Sequence, residues 1–200
     1  MPTLIYVHDP MCSWCWGFAP VLDKLMAAVP PHVEVRRLLG GLAPDSDVPM
    51  PDETREYVQR QWRRIEETIP GRKFNFDFWS KCQPRRSTYP ACRAVIAARE
   101  QGEENDTLMT TAIQRAYYQQ ARNPSDVATL TALAGEIGID ADAFAGDLGS
   151  DAVAMQFEQE LDQCRTLGVR GFPSLVLVDG DRIRTIPIDY LDSATMLAAL

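Results

Sequence analysis

Two cysteines three positions apart, Cys12 and Cys15, stand in the stretch His8-Asp9-Pro10-Met11-Cys12-Ser13-Trp14-Cys15-Trp16, directly after the apolar run Leu4-Ile5-Tyr6-Val7. A C-x-x-C pair can perform thiol–disulfide exchange, form half of a zinc site, or be two buried and inert thiols. Zinc calls for a second close pair of ligands. Cys82 and Cys92 are too far apart in sequence for that, Cys164 stands alone, and neither His8 nor His32 has finger spacing. Exchange fits the position best. A helix N-terminus offers unpaired N–H groups and the positive end of the macrodipole, which favour a thiolate. A residue three positions on falls on the same helical side. Cys12 then attacks, and Cys15 resolves the mixed disulfide.

That chemistry requires a strand to deliver the loop and a helix to follow it. Leu4 to Val7 reads as a short buried strand ended by Asp9-Pro10. Trp14 to Val29 reads as a helix, with Phe18, Leu22, Leu25 and Met26 at helical spacing and Pro30-Pro31 as its stop. Val33 to Leu39 alternates as a second strand, closed by Gly40-Gly41, which completes a βαβ unit. After a Pro/Asp linker at Ala43 to Pro51, helical patterns dominate. One carries the stripe Val58, Trp62, Ile65 and Ile69. Others span Tyr89 to Glu100, Asp106 to Gln120, Val127 to Ile137 and Val153 to Leu167. Strand texture returns at Ser174 to Val178 and Arg182 to Ile186, around the Asp-Gly turn at residues 179–181. A last helix is expected from Asp192 to Leu200. The expected fold is α/β, split by an all-helical insertion: 1–42 and 167–200 form the sheet unit and 43–166 the insertion.

The composition narrows the setting. With 46% hydrophobic and 24% charged residues over 200 positions, the chain can bury a core without staples. The formal net charge of −8 argues against a nucleic-acid or anionic-membrane surface. No apolar run approaches the roughly 20 residues of a membrane span, and the N-terminus lacks a secretory pattern. With Met1 as the native start, the expected location is the cytoplasm. Five cysteines, an odd number, do not read as a disulfide framework.

Neighbouring residues carry competing readings. Trp14 is expected to be exposed beside the active site, as an apolar lip for a substrate, and Trp16 in the core. His8 and Asp9 are placed to assist a thiol as proton acceptors. Their simpler reading is a strand end and an Asp-Pro turn. Cys92 and Cys164 read as core thiols. Cys82, among Lys81, Arg85 and Arg86, reads either as an oxidation-prone thiol of lowered pKa or as a plain surface thiol. Arg85 and Arg86 read as a solvated basic loop, with attraction for a carboxylate as the alternative. Pro173 in Gly168-Val169-Arg170-Gly171-Phe172-Pro173-Ser174 sits at a strand start, where a cis bond is retained in functional turns.

Taken in order, the C-x-x-C after the first strand, the helical insertion and the G-V-x-G-x-P-S run before a hairpin resemble the DsbA-like branch of the thioredoxin superfamily. That branch includes FrnE-like proteins, 2-hydroxychromene-2-carboxylate isomerases and kappa-class glutathione transferases. The resemblance implies a thiol–disulfide oxidoreductase or isomerase. Cys12 would be the nucleophile, Cys15 the resolving thiol and Pro173 the cis-proline facing them. Phe172 would offer its backbone to an extended substrate or to glutathione, and Ser13 and Trp14 would line the site. It implies no metal or organic cofactor. Its expected partners are protein thiols or disulfides, or glutathione, and an unidentified redox recycling partner. The isomerase and transferase relatives typically hold serine where Cys12 stands. Two alternatives remain open on these residues: a glutathione-dependent isomerase or transferase, and a non-catalytic thiol- or peptide-binding module.

Overall fold

The computed structural model describes residues 1–200. β1 (Thr3–His8), α1 (Ser13–Ala28) and β2 (Glu34–Leu39) form the expected βαβ unit, with β1 and β2 parallel. β3 (Ser174–Asp179) and β4 (Arg182–Ile186) form the hairpin. It joins antiparallel to β1, so the sheet order is β2-β1-β3-β4. β1 is paired on both sides and buried from Leu4 to His8, which is why it reads as a continuous apolar run rather than an alternation.

Between the two halves of the sheet lie α2 (Asp52–Thr68), α3 (Phe78–Lys81), α4 (Tyr89–Arg99), α5 (Asn105–Tyr118), α6 (Val127–Glu136), α7 (Ala141–Leu148) and α8 (Asp151–Thr166). Their shared core centres on Trp62. Its ring lies 4.9 Å from both Phe74 and Trp79, 5.4 Å from Tyr117 and 5.5 Å from Tyr118. The α2 stripe is therefore the seam joining α2 to α3 and α5. α1 contributes Trp16, which stacks on Tyr118 at 5.6 Å, and this contact fixes the helical block beside the cysteines. One face of the sheet packs Leu4 and Tyr6 against Phe18, Leu22 and Leu25 of α1. The other packs Ile5, Val7 and Leu38 against Cys164 near the end of α8.

Three local expectations change. α3 and α7 were not anticipated. Both are short, and α7 buries only Phe144 and Leu148, too few positions for a visible period. The carboxylate of Asp140 caps α7 by accepting from the Asp142 and Ala143 N–H groups. The last helix, α9, spans only Ala194–Leu197 and buries Met196 alone; Ser193 makes no capping bond there.

Candidate active site

Cys12 is the N-cap of α1, in extended conformation, and its carbonyl accepts from the Trp16 N–H at 3.1 Å. The loop before it is held by Asp9. The carbonyl of Asp9 receives the Cys12 N–H at 3.0 Å. Its side chain is fully buried and accepts four bonds: Oδ1 from Met11 N–H at 2.7 Å, and Oδ2 from Leu42 N–H at 2.7 Å, Thr88 Oγ1 at 2.6 Å and the Cys92 thiol at 3.5 Å. Burial pushes the Asp9 carboxyl up from the usual range, and these donors oppose the shift. Asp9 therefore ties the cysteine loop to the chain after β2 and to the start of α4. Its hydrogen-bond partners define a structural anchor, the Asp-Pro turn reading with more reach than a turn requires. His8 is also fully buried, its ring stacked on Tyr6 rather than bonded to Cys12.

The thiol of Cys12 donates to the Phe172 carbonyl at 3.5 Å, across a sequence separation of 160 residues. The Phe172–Pro173 peptide bond is cis. The Phe172 ring lies over the end of β2, where a Cβ on Gly40 would come within 1.9 Å of Cε1 and 2.2 Å of Cζ. Gly40 thus does more than close a strand: its missing side chain is the seat of Phe172. Cys15, one turn below Cys12, is fully buried. Burial, then the Cys12 sulfur beside it, pushes the Cys15 thiol well above its ordinary value. The two thiols are free rather than joined. The two thiols differ in access: Cys12 is 6% exposed and lines a cleft, whereas Cys15 is wholly covered.

Cys12 opens on a cleft of about 160 Å³. Ser13, Trp14 and Phe172 line it, Trp14 half-buried against the helical core rather than exposed. The Trp14 Nε1–H donates to Gln61 Oε1 at 3.2 Å, and its ring meets Tyr190 edge-on at 5.1 Å with the Arg64 guanidinium 5.8 Å away. Trp16 is core, as expected, with Arg72 over its ring at 4.1 Å. The cleft also takes Tyr57 and Gln61 from α2, and Arg85 and Arg86 from the segment before α4. Sequence reasoning did not place the α2 residues there. The only signal was their position on α2 away from the apolar stripe. The solvated-loop reading of the arginines is corrected too. Arg85 is engaged by Asp126 and the Ser125 carbonyl, both at 2.6 Å, whereas Arg86 lines the cleft without an ion-pair partner.

The other cysteines fall outside the cleft. Cys92 and Cys164 are core thiols, as expected. Cys82 is half-buried and donates to the Ala121 carbonyl at 3.1 Å. Its thiol is pushed up, first by burial and then by the charge of Asp126, so the lowered-pKa reading does not hold. Two of the basic residues nearby are already paired, Arg85 with Asp126 and Lys81 with Asp77. No three His, Cys, Asp or Glu side chains converge in a metal-binding arrangement.

A sheet of this order, with a thiol at the first helix N-cap and a cis-proline turn against it, defines a thioredoxin fold with a helical insertion. The chain belongs to the thioredoxin family, whose model matches residues 5–189, and its structural neighbours place it among DsbA-like oxidoreductases. Among solved structures it resembles a candidate protein disulfide isomerase from Nitrosomonas europaea, with 29% identity over 99% of this chain and 96% of that one and a TM-score of 0.84. It also resembles the cytosolic disulfide reductase DsbM from Pseudomonas aeruginosa, with 28% identity over 92% and 89% of the two chains and a TM-score of 0.75; that protein has also been solved with GSH. The ClpXP adapter protein SpxH of Halalkalibacterium halodurans is 26% identical over 180 residues, 88% of this chain but 58% of that protein. The chain thus spans under two thirds of the length of that curated relative. No helix is long and apolar enough to cross a membrane.

Proposed function

We propose that this protein is a thiol–disulfide oxidoreductase acting through Cys12 and Cys15 in a reducing compartment such as the cytoplasm. The observation that carries the reading is the pairing of Cys12, at the mouth of a cleft and against the Phe172 carbonyl, with a buried Cys15 directly beneath it. The Cys12 thiolate attacks one sulfur of a substrate disulfide, and the first substrate thiolate leaves. Cys15, deprotonated, then attacks the Cys12 sulfur. The mixed disulfide breaks, the second substrate thiolate leaves, and the protein pair is oxidised as the substrate is reduced. Two equivalents of a thiol reverse the change in the protein. Pro173 shapes the turn, and the Phe172 backbone flanks the reacting sulfur, where an extended substrate would pair. Ser13 and Trp14 form the lip.

Glutathione suits the cleft as substrate or reductant. Arg86 supplies an unpaired cation for a carboxylate, and the DsbM relative was solved with GSH. The electrons reside in the cysteine pair, so the reading calls for no metal or organic cofactor. Cys15→Ser, exposed to oxidised glutathione, should accumulate one glutathionyl group on Cys12 by mass spectrometry and lose turnover. Cys12→Ser should form no adduct at Cys15. Full disulfide turnover by Cys15→Ser would overturn the two-cysteine proposal, and glutathione conjugation spared by that variant would instead support a glutathione-dependent isomerase or transferase.

A further inference from the structure

The segment that frames the Cys12 cleft carries a charge opposite to that of the whole chain. Between residues 55 and 86 lie nine of the 20 lysines and arginines but only four carboxylates, in a chain of net charge −8. That segment supplies the α2 wall of the cleft, through Tyr57, Val58 and Gln61, and also Arg85 and Arg86. Several of its cations are committed elsewhere. Arg85 is paired with Asp126, Lys81 with Asp77, and Arg60 lies 3.7 Å from Glu56. Two beside the cleft are not: neither Arg64 nor Arg86 takes part in any ion pair of the chain.

Arg64 reaches the site over Trp14. Its guanidinium lies 5.8 Å from the centre of that ring. The ring is held from two other sides, by the bond of its Nε1–H to Gln61 Oε1 at 3.2 Å and by the edge-on contact with Tyr190 at 5.1 Å. Trp14 stands two residues from Cys12 on the first turn of α1, so a fixed ring sets where Arg64 stands relative to the reacting sulfur. A guanidinium on an aromatic face still has its N–H groups available to a carboxylate. Arg64 is exposed and contributes nothing to the buried stripe of α2. It lies on α2 seven residues, or about 10 Å, beyond Tyr57, whereas Arg86 belongs to the segment before α4. The two cations therefore approach the cleft from different elements.

We propose, resting on the exchange reading above, that Arg64 is a specificity-determining residue, and that together with Arg86 it selects disulfides carrying carboxylates on both sides of the sulfur. Arg64 receives the carboxylate that crosses the Trp14 lip, and Arg86 receives the other. Glutathione carries such carboxylates, and so does a protein disulfide flanked by acidic residues. The acidic remainder of the chain repels an anionic substrate elsewhere, so the basic rim also orients its approach to Cys12.

The test uses the full chain, reduced, in a Cys82→Ser background. It is mixed with one of three small symmetric disulfides: dithiodipropionate with two carboxylates, uncharged hydroxyethyl disulfide, or cystamine with two ammonium groups. Oxidation of the Cys12–Cys15 pair is followed by acid quench and mass spectrometry. Each rate is divided by the rate of dithiothreitol with the same disulfide, which removes differences between leaving thiols. The dianion should react about tenfold faster than the neutral disulfide at low salt, and the dication slower. The ratio should fall toward one as NaCl rises to about 0.5 M, a readout that does not depend on a variant folding. Arg64→Gln should lower the dianion-to-neutral ratio several-fold. Arg182→Gln, which removes an exposed cation from the edge strand β4, should leave that ratio unchanged.

Glutathione disulfide and a capped peptide disulfide with an aspartate on each side of the cysteine separate the two sources. A loss of rate on Arg64→Gln with either one assigns that source, and a loss with neither overturns the proposal. No preference for the dianion in the parent chain, a preference unmoved by salt, or equal effects of Arg64→Gln and Arg182→Gln would each overturn it too. Failure of all three small disulfides to oxidise the pair would overturn the oxidoreductase reading itself.

Discussion

Gly40→Ala tests how the site is assembled, because the structure supplies the displacement directly. A methyl at this position would lie 1.9, 2.2 and 2.8 Å from Cε1, Cζ and Cδ1 of Phe172, where ordinary contact begins at 3.4 Å. The ring must therefore retreat by about 1.5 Å (3.4 minus 1.9). Gly40 does not occupy the left-handed region, unlike Gly41 with φ +61°, so alanine adds no backbone strain there and the effect is the clash alone. Crowding of this kind costs about 1–3 kcal/mol, and each kcal/mol lowers the midpoint by about 2–4 °C in a chain of this size. The Phe172 carbonyl travels with the ring. Since it lies 3.5 Å from Cys12 Sγ, a shift of that order removes the contact. Thermal melting should show the loss of stability, and exchange with a peptide disulfide should slow by about tenfold as the turn leaves register. Adding Phe172→Leu to Gly40→Ala should recover most of the stability without restoring the exchange rate, since neighbouring changes couple. A Gly40→Ala protein that melts and reacts like the parent, or a double variant whose losses simply add, would refute this reasoning.

Asp9→Asn should destabilise by about 2–4 kcal/mol in denaturant unfolding, because in either amide orientation an NH₂ must face Met11 N–H or Leu42 N–H. An unchanged midpoint would show that the Asp9 bonds do not hold the cysteine loop. His8 titrates near 4 when folded against the ordinary 6.5, so the unfolded chain binds the proton first as pH falls. Its contribution to stability is complete above pH 6.5 and is lost as pH falls toward 4, by about 3 kcal/mol in all. Unfolding free energies measured across that window should slope upward with pH, and His8→Leu should flatten the slope. Arg86→Ala should weaken glutathione binding several-fold while leaving neutral disulfides unaffected; equal losses for both would remove the carboxylate role.

What the sequence determined by itself was local. The apolar run at Leu4 to Val7, the Asp-Pro break, the period of Phe18, Leu22 and Leu25, and the C-x-x-C spacing are all read within a few turns of chain. That was enough to place Cys12 at a helix N-terminus and Trp16 in the core. The stripe Val58, Trp62, Ile65 and Ile69 likewise announced α2, since an amphipathic helix must hide such a face. Tertiary structure decided what surrounds the thiol. The contact of Cys12 with Phe172 spans 160 residues, that of Asp9 with Thr88 spans 79, and the fit of Phe172 on Gly40 is a matter of angstroms. Periodicity carries no information on such approaches, because they depend on how the α2–α8 block packs against the sheet. The same holds for the arginines. Arg85 and Arg86 are adjacent in the chain and equally basic in sequence, but packing gives the carboxylate of Asp126 to Arg85 and leaves Arg86 facing the thiol cleft. His8 follows the same logic: a polar residue at the end of a strand becomes a fully buried imidazole, stacked on Tyr6, only through tertiary packing.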